Sequence, residues 1–134
     1  MEMSKLSTRM TFALVAAVLL PMTLVGDDDL ASRTLSVFRT KCSACHGSDL
    51  KEPESNFGHV DDLGLLARDA QHIVPGRPDD SVLFQKIAVK RDMPPRTSAK
   101  KLGIKPLTPE EIALVRAWIS AGAPAGTLQA AKRP

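Results

Sequence analysis

Cys42-Ser43-Ala44-Cys45-His46-Gly47 is the stretch on which the reading of this chain turns. Two cysteines three positions apart, followed at once by a histidine, match the attachment pattern of a c-type haem. The spacing has a chemical reason. Two thiols on one helical turn can each add to one of the two vinyl groups on a single porphyrin edge, and the next residue then brings an imidazole nitrogen to the iron. Cys42 and Cys45 are thus the covalent attachment points and His46 the proximal iron ligand, in a chain expected to hold one haem c.

Three other readings use the same residues. A thioredoxin-like dithiol should follow a strand in a βαβ setting. A structural zinc site usually needs four ligands; His59 or His72 could contribute, but the chain has only two cysteines. A plain disulfide is the third.

Working outward, the residues before the motif predict a helix from about Leu30 to Lys41, opened by Asp27-Asp28-Asp29. Acidic residues there suit the free N–H groups and the positive end of the helix dipole. Leu30, Thr34, Val37 and Phe38 recur at spacings of three and four and give it an apolar face.

After the motif, Ser48 to Gly58 is polar and reads as a loop. A short helix over Leu63 to Ala70 would turn Leu65 and Leu66 inward, with Gly64 weakening it. Val74-Pro75-Gly76 signals a turn, and Pro78 opens a helix to about Val89 with Leu83, Phe84 and Ile87 on one face. Met93-Pro94-Pro95 stops that helix, and a basic loop follows through Lys105. The last helix is the best signalled: Thr108 is the N-cap, Pro109 the first helical residue, and Glu111 completes a capping box. Leu107 and Ile112 suit a hydrophobic staple, and Ile112, Val115, Trp118 and Ile119 form the inner face. Gly122 ends it. No strand pattern, repeat or second domain is visible, so the expected fold is small and all-α.

The first 26 residues read differently. Lys5 and Arg9 precede the apolar run Thr11–Leu20, and Pro21 leads to Gly26. A basic start, a short apolar core and a polar exit describe an export signal. The run is short for a spanning helix, which needs about 20 apolar residues. Leu24 is large for its place two before Gly26, so an uncleaved membrane anchor is the alternative. The expected organisation is a leader over 1–26, a haem domain over 27–124 and a flexible tail over 125–134, located in the periplasm or otherwise exported. Without Glu2, Lys5 and Arg9 the formal charge falls from +3 to +2, a mild excess that is no nucleic-acid signature.

Methionines stand at positions 1, 3, 10, 22 and 93, so Met93 is the one outside the leader. A thioether is a known axial ligand, and a His/Met pair raises the reduction potential. Pro94 and Pro95 would stiffen its loop, which makes Met93 the expected distal ligand. His59 and His72 are its competitors, and a core gap-filler is the plain alternative.

From Phe38 to Pro124 the chain resembles the small cytochrome c domains of planctomycete bacteria. The resemblance is carried by Cys42-x-x-Cys-His-Gly47, Phe57-Gly58, Leu65-x-Ala67-Arg68, Val74-Pro-Gly-x-Pro-x-x-Ser81, Met93-Pro-Pro95, Leu107-Thr-Pro-Glu-Glu-Ile112 and Trp118-Ile-x-Ala-Gly-Ala-Pro124. It implies a class I-like cytochrome c fold, with the first and last helices crossing beside a covalently bound haem. It also implies Cys42 and Cys45 as attachment points, with His46 and Met93 as iron ligands. Members of the family are often joined to larger secreted modules, and no role is carried over from those.

The function expected is single-electron transfer in the periplasm by a monomer, between a redox protein donor and acceptor. Lys90, Arg91, Arg96, Lys100, Lys101 and Lys105 surround the Met93 loop and could steer an acidic partner. The alternatives are a haem peroxidase, which needs an open distal position, the haem subunit of a larger oxidoreductase, and a redox or gas sensor that works by losing the Met93 bond.

Overall fold

The computed structural model describes residues 26–127, and the leader reading and the end of the tail lie outside them. Among the described residues the elements are all helical. They are α1 (Asp27–Lys41), α2 (Ser43–His46), α3 (Leu63–Leu66), α4 (Val82–Phe84), α5 (Arg96–Lys101) and α6 (Pro109–Ser120), with short 3₁₀ turns at Glu54–Asn56 and Pro78–Asp80. No described helix is long and apolar enough to cross a membrane.

α1 and α6 pack against one another and frame the core. α1 begins at Asp27, earlier than its apolar periodicity suggests, because all three aspartates lie inside its first turn and complement the dipole there. Its buried stripe is Ala31, Thr34, Val37 and Phe38, with Leu30 at the rim. The Thr34 hydroxyl is satisfied by donating to the Leu30 carbonyl at 2.8 Å. Phe38 meets Trp118 of α6 edge to face, with ring centroids 5.6 Å apart and planes at 85°, the arrangement favoured by the aromatic quadrupole. Both rings are buried, and truncating either to alanine is expected to cost about 3–5 kcal/mol.

α6 forms as its sequence dictates. The Glu111 N–H donates to Thr108 Oγ1 at 3.2 Å, and the Thr108 N–H donates to Glu111 Oε2 at 2.8 Å. At the other end Gly122 takes φ +92°, and the Trp118 indole N–H donates to the Pro124 carbonyl at 2.9 Å. The chain then runs back along α1, where the Thr127 N–H donates to Asp28 Oδ1 at 2.7 Å.

The middle of the chain fills the other side of the core. α3 is capped by Asp62, which accepts from the Leu65 N–H. This short helix buries Leu63 and Leu66, while Leu65, expected inside, is 48% exposed. With Asp62 as cap, the inward pair falls three apart at 63 and 66, and Leu65 lies on the outer side of the turn. Ser81 is buried, its hydroxyl accepting from the Val74 N–H and donating to the Arg77 carbonyl, which closes the Val74–Ser81 turn on itself. The Gly76 N–H ties that turn to Ile119 of α6 at 2.7 Å. α4 continues into a turn of π-helix over Gln85–Val89 that buries Ile87. The basic stretch expected as a loop contains a helix, α5, whose Ala99 is buried.

Candidate haem site

The Cys42–Gly47 motif leaves α1 by a sharp bend. Cys42 takes φ −125° and ψ −33°, and its N–H still donates to Phe38 in α1. The single turn of α2 then restarts, with the N–H groups of Cys45 and His46 both donating to the Cys42 carbonyl at 3.1 and 2.9 Å. The two cysteines and the histidine therefore share one helical turn. Gly47 ends it: its N–H bonds to the Ser43 carbonyl, and a Cβ at this position would stand 2.6 Å from that same oxygen. No side chain fits there without moving the turn that carries the motif.

His46 is held twice by the segment opposite. Its Nδ1 lies 2.9 Å from the Phe57 carbonyl, and its own carbonyl accepts from the Val60 N–H at 3.0 Å. A carbonyl can only accept, so Nδ1 carries the proton. That leaves Nε2 with the lone pair, the tautomer a metal ligand needs. The loop that delivers Phe57 is itself tight, since a Cβ on Gly58 would meet Pro53 Cγ at 2.6 Å.

Three clefts converge on Ile87 and Met93. One of about 180 Å³ is lined by Phe38, Cys42, His46, Phe57, His72 and Leu83 among others. A smaller one of about 40 Å³ adds Cys45 and Leu102. A third, about 620 Å³, opens beside Met93 under Arg91, Arg96, Lys100 and Lys105, with Leu107 and Ile112 in its lining. The structure thus brings together the four residues singled out in the sequence. Met93 is half-buried against the core and precedes a cis peptide to Pro94.

The chemistry of this donor set fits a covalently attached porphyrin. The walls are largely apolar, the two thiols are unpaired, and the imidazole presents a free lone pair. The Cys42 thiol is pushed up to about 12, first by burial and then by the nearby negative charge of Cys45 and Glu111, against which Lys41 acts. It is a neutral thiol and not a reactive thiolate of the dithiol-oxidoreductase kind. Among the described residues no group of three or more His, Cys, Asp or Glu side chains is placed to hold a metal ion, so the zinc reading finds no ligand set.

The two competing histidines have another partner. His59 Nε2 and His72 Nδ1 both donate to Asp69 Oδ2, at 2.8 and 2.7 Å. His72 also lines the 180 Å³ cleft, where its ring stacks on Phe57. Asp69 and the Phe57 carbonyl are the site residues that sequence reasoning missed. A backbone acceptor leaves no trace in residue type, and Asp69 lies in a stretch without a motif.

Residues 42–97 match the family model of planctomycete cytochrome C. The match supports a planctomycete-type cytochrome c domain in this part of the chain. The match starts on Cys42 and extends just past Met93-Pro-Pro95, so it spans the whole proposed ligand set. The helical architecture is that of a cytochrome c-like fold. A cytochrome c domain implies a covalently bound haem, and Cys42 and Cys45 are the two cysteines available for it. No curated protein and no solved structure matches the chain.

Proposed function

We propose that this chain is a mono-haem c-type cytochrome that passes single electrons in the periplasm, with Cys42 and Cys45 bonded to the haem and His46 and Met93 as its iron ligands. The observation that carries this reading is the hydrogen bond from His46 Nδ1 to the Phe57 carbonyl, which reserves Nε2 of a ring lining the same clefts as both cysteines and Met93. When bound, the haem supplies a reversible one-electron couple at iron.

The chain's own residues set the conditions for that couple. Cys42 and Cys45 fix one porphyrin edge, so a small core need not enclose the cofactor completely. Phe38, Phe57, Leu83 and Ile87 exclude water from the cleft. Met93 would offer a soft thioether as the second protein ligand, and a His/Met pair favours the reduced form relative to two histidines. With His46 and Met93 both supplied by the protein, little would have to reorganise when the charge changes.

Donor and acceptor would meet the face that carries Met93. Arg91, Arg96, Lys100 and Lys105 line its cleft, and Val89 and Leu102, next in sequence to Lys90 and Lys101, are exposed. A cleft rimmed by one sign of charge suits a transient complex with an acidic redox protein. The second reading, peroxidase or sensor chemistry, draws on the size of the 620 Å³ cleft beside a half-buried Met93.

Absorption spectra of the haem-loaded chain, recorded oxidised, reduced, and reduced under carbon monoxide, separate these readings. A low-spin spectrum with a methionine-to-iron charge-transfer band and no carbon monoxide response is expected. A high-spin or carbon-monoxide-reactive haem would transfer the case to an open site, and a chain that takes up no covalent haem would end it.

A further inference from the structure

We infer that Asp69 is a positioning residue for the proximal ligand: through His59 and His72 it clamps the Phe57 ring, and so fixes the carbonyl that accepts the His46 Nδ1 proton. This rests on the reading of His46 as an iron ligand.

The chain of contacts is continuous. Asp69 Oδ1 accepts from the Gln71 N–H at 3.1 Å, while Oδ2 accepts from His72 Nδ1 at 2.7 Å and from His59 Nε2 at 2.8 Å. One carboxylate thereby sets the orientation of two imidazoles. Burial alone would raise the pKa of Asp69, but the hydrogen bonds from His72, Gln71 and His59 outweigh it and hold the group below its ordinary 3.8, as an acceptor-only carboxylate. Both imidazoles then grip Phe57. His72 stacks on its face at 4.0 Å with planes 16° apart, and His59 meets it edge on at 5.0 Å and 80°. The Phe57 carbonyl receives His46 Nδ1 at 2.9 Å.

A clamp is needed at this point. Ser55 and Asn56, immediately before Phe57, both sit in the left-handed region, at φ 58° and 56°. That conformation costs a residue with a side chain about 1–2 kcal/mol. The turn is closed by the Phe57 N–H donating to the Glu54 carbonyl at 3.2 Å, and the contacts on the Phe57 ring add the support that local backbone preference at Ser55 does not give. The consequence is electronic as well as structural. A hydrogen bond from the far nitrogen makes an imidazole a stronger donor to its metal, which favours the oxidised iron. Loosening the acceptor should raise the reduction potential.

The test uses the full haem-loaded chain and three readouts: midpoint potential, proton-NMR exchange of the His46 Nδ1 proton, and melting temperature. Asp69→Ala is expected to shift the oxidised-to-reduced ratio at fixed poise about tenfold toward reduced, which is ~59 mV upward for one electron, and to speed exchange of that proton. Asp69→Asn keeps one acceptor oxygen and should fall between this variant and wild type. Phe57→Leu should act in the same direction, and combining it with Asp69→Ala should add little, as expected of two members of one pathway. If Asp69→Ala does not fold, Asp69→Asn and His59→Gln carry the test, the latter removing one of the two rings on Phe57 while keeping an N–H toward Asp69, and so shifting potential and proton exchange in the same direction by less. Asp69 variants that melt earlier while potential and proton exchange stay at wild-type values would overturn the inference and leave Asp69 a purely structural residue. Failure of the underlying reading is seen before any substitution, as a wild-type haem without histidine ligation, and it would remove the inference with it.

Discussion

On one side of the haem cleft His46 is fixed through its ring by the Phe57 carbonyl, through its backbone by the Val60 N–H, and through the turn it sits on by a glycine that admits no side chain. Met93, which lines the same cleft, is half-buried on a strap between the π-turn at Gln85–Val89 and α5, with an open, cation-lined cleft beside it. The difference teaches that the two proposed iron ligands are held by different means. His46 is pre-set by hydrogen bonds to Phe57 and Val60, and Met93 is held mainly by packing. Electron transfer needs the first to be constant, and it tolerates adjustment in the second.

The largest expected contrast is between the two ligands themselves. His46→Ala should abolish stable low-spin haem, whereas Met93→Ala should leave haem attached, open the iron to carbon monoxide and lower the potential. Carbon monoxide titration and redox potentiometry of the two variants check this. A normal spectrum in His46→Ala would remove it as proximal ligand, and an unchanged potential in Met93→Ala would rule out the thioether.

Two glycines sharpen the same contrast at a smaller scale. Gly47→Ala forces a Cβ to 2.6 Å from the Ser43 carbonyl, and overpacking of that kind costs about 1–3 kcal/mol. Gly76 has open space but φ +81°, so Gly76→Ala should cost about 1–2 kcal/mol from the left-handed backbone alone. Denaturant melts will give similar losses, but only Gly47→Ala should also alter the haem spectrum, because it displaces the turn that carries His46. An equal spectral change in both would mean that the proximal turn is no more sensitive than a remote one.

How far all this could be seen in the residues depends on how local the cause is. The capping box at Thr108 and Glu111, the stop at Gly122 and the attachment motif are set by neighbours in sequence, and each is found where the pattern puts it. Leu65 was misplaced because the inward face of a four-residue helix depends on its cap at Asp62, which periodicity over so short a span does not fix. The stretch Arg96–Lys101 reads as a solvated basic loop since its charges dominate, yet it forms a helix that buries Ala99. The Asp69 cluster joins Phe57 to His59, two positions on, and to Asp69 and His72, twelve and fifteen positions on, through ring contacts and hydrogen bonds that carry no spacing rule.

The distal face supplies the most delicate test. Arg96 and Lys100 line the cleft beside Met93 and are exposed, while Arg33 pairs with Asp29 on α1 and is not among the cleft residues. If electrons leave by the Met93 face, Arg96→Glu and Lys100→Glu should slow reaction of the reduced protein with ferricyanide, an anion, by about tenfold at low salt. Reaction of the oxidised protein with reduced hexaammineruthenium, a cation, should be unchanged or faster. Arg33→Glu should change neither by a comparable factor. Because the Debye length falls to about 3 Å at 1 M salt, the differences should largely vanish there, with the midpoint potential little altered throughout. Stopped-flow rates across an ionic-strength series decide the matter. Equal slowing with both reagents would point to a disturbed site, whereas no effect with ferricyanide would place the exit for electrons on the proximal side, where His46 is held by bonds that do not need to yield.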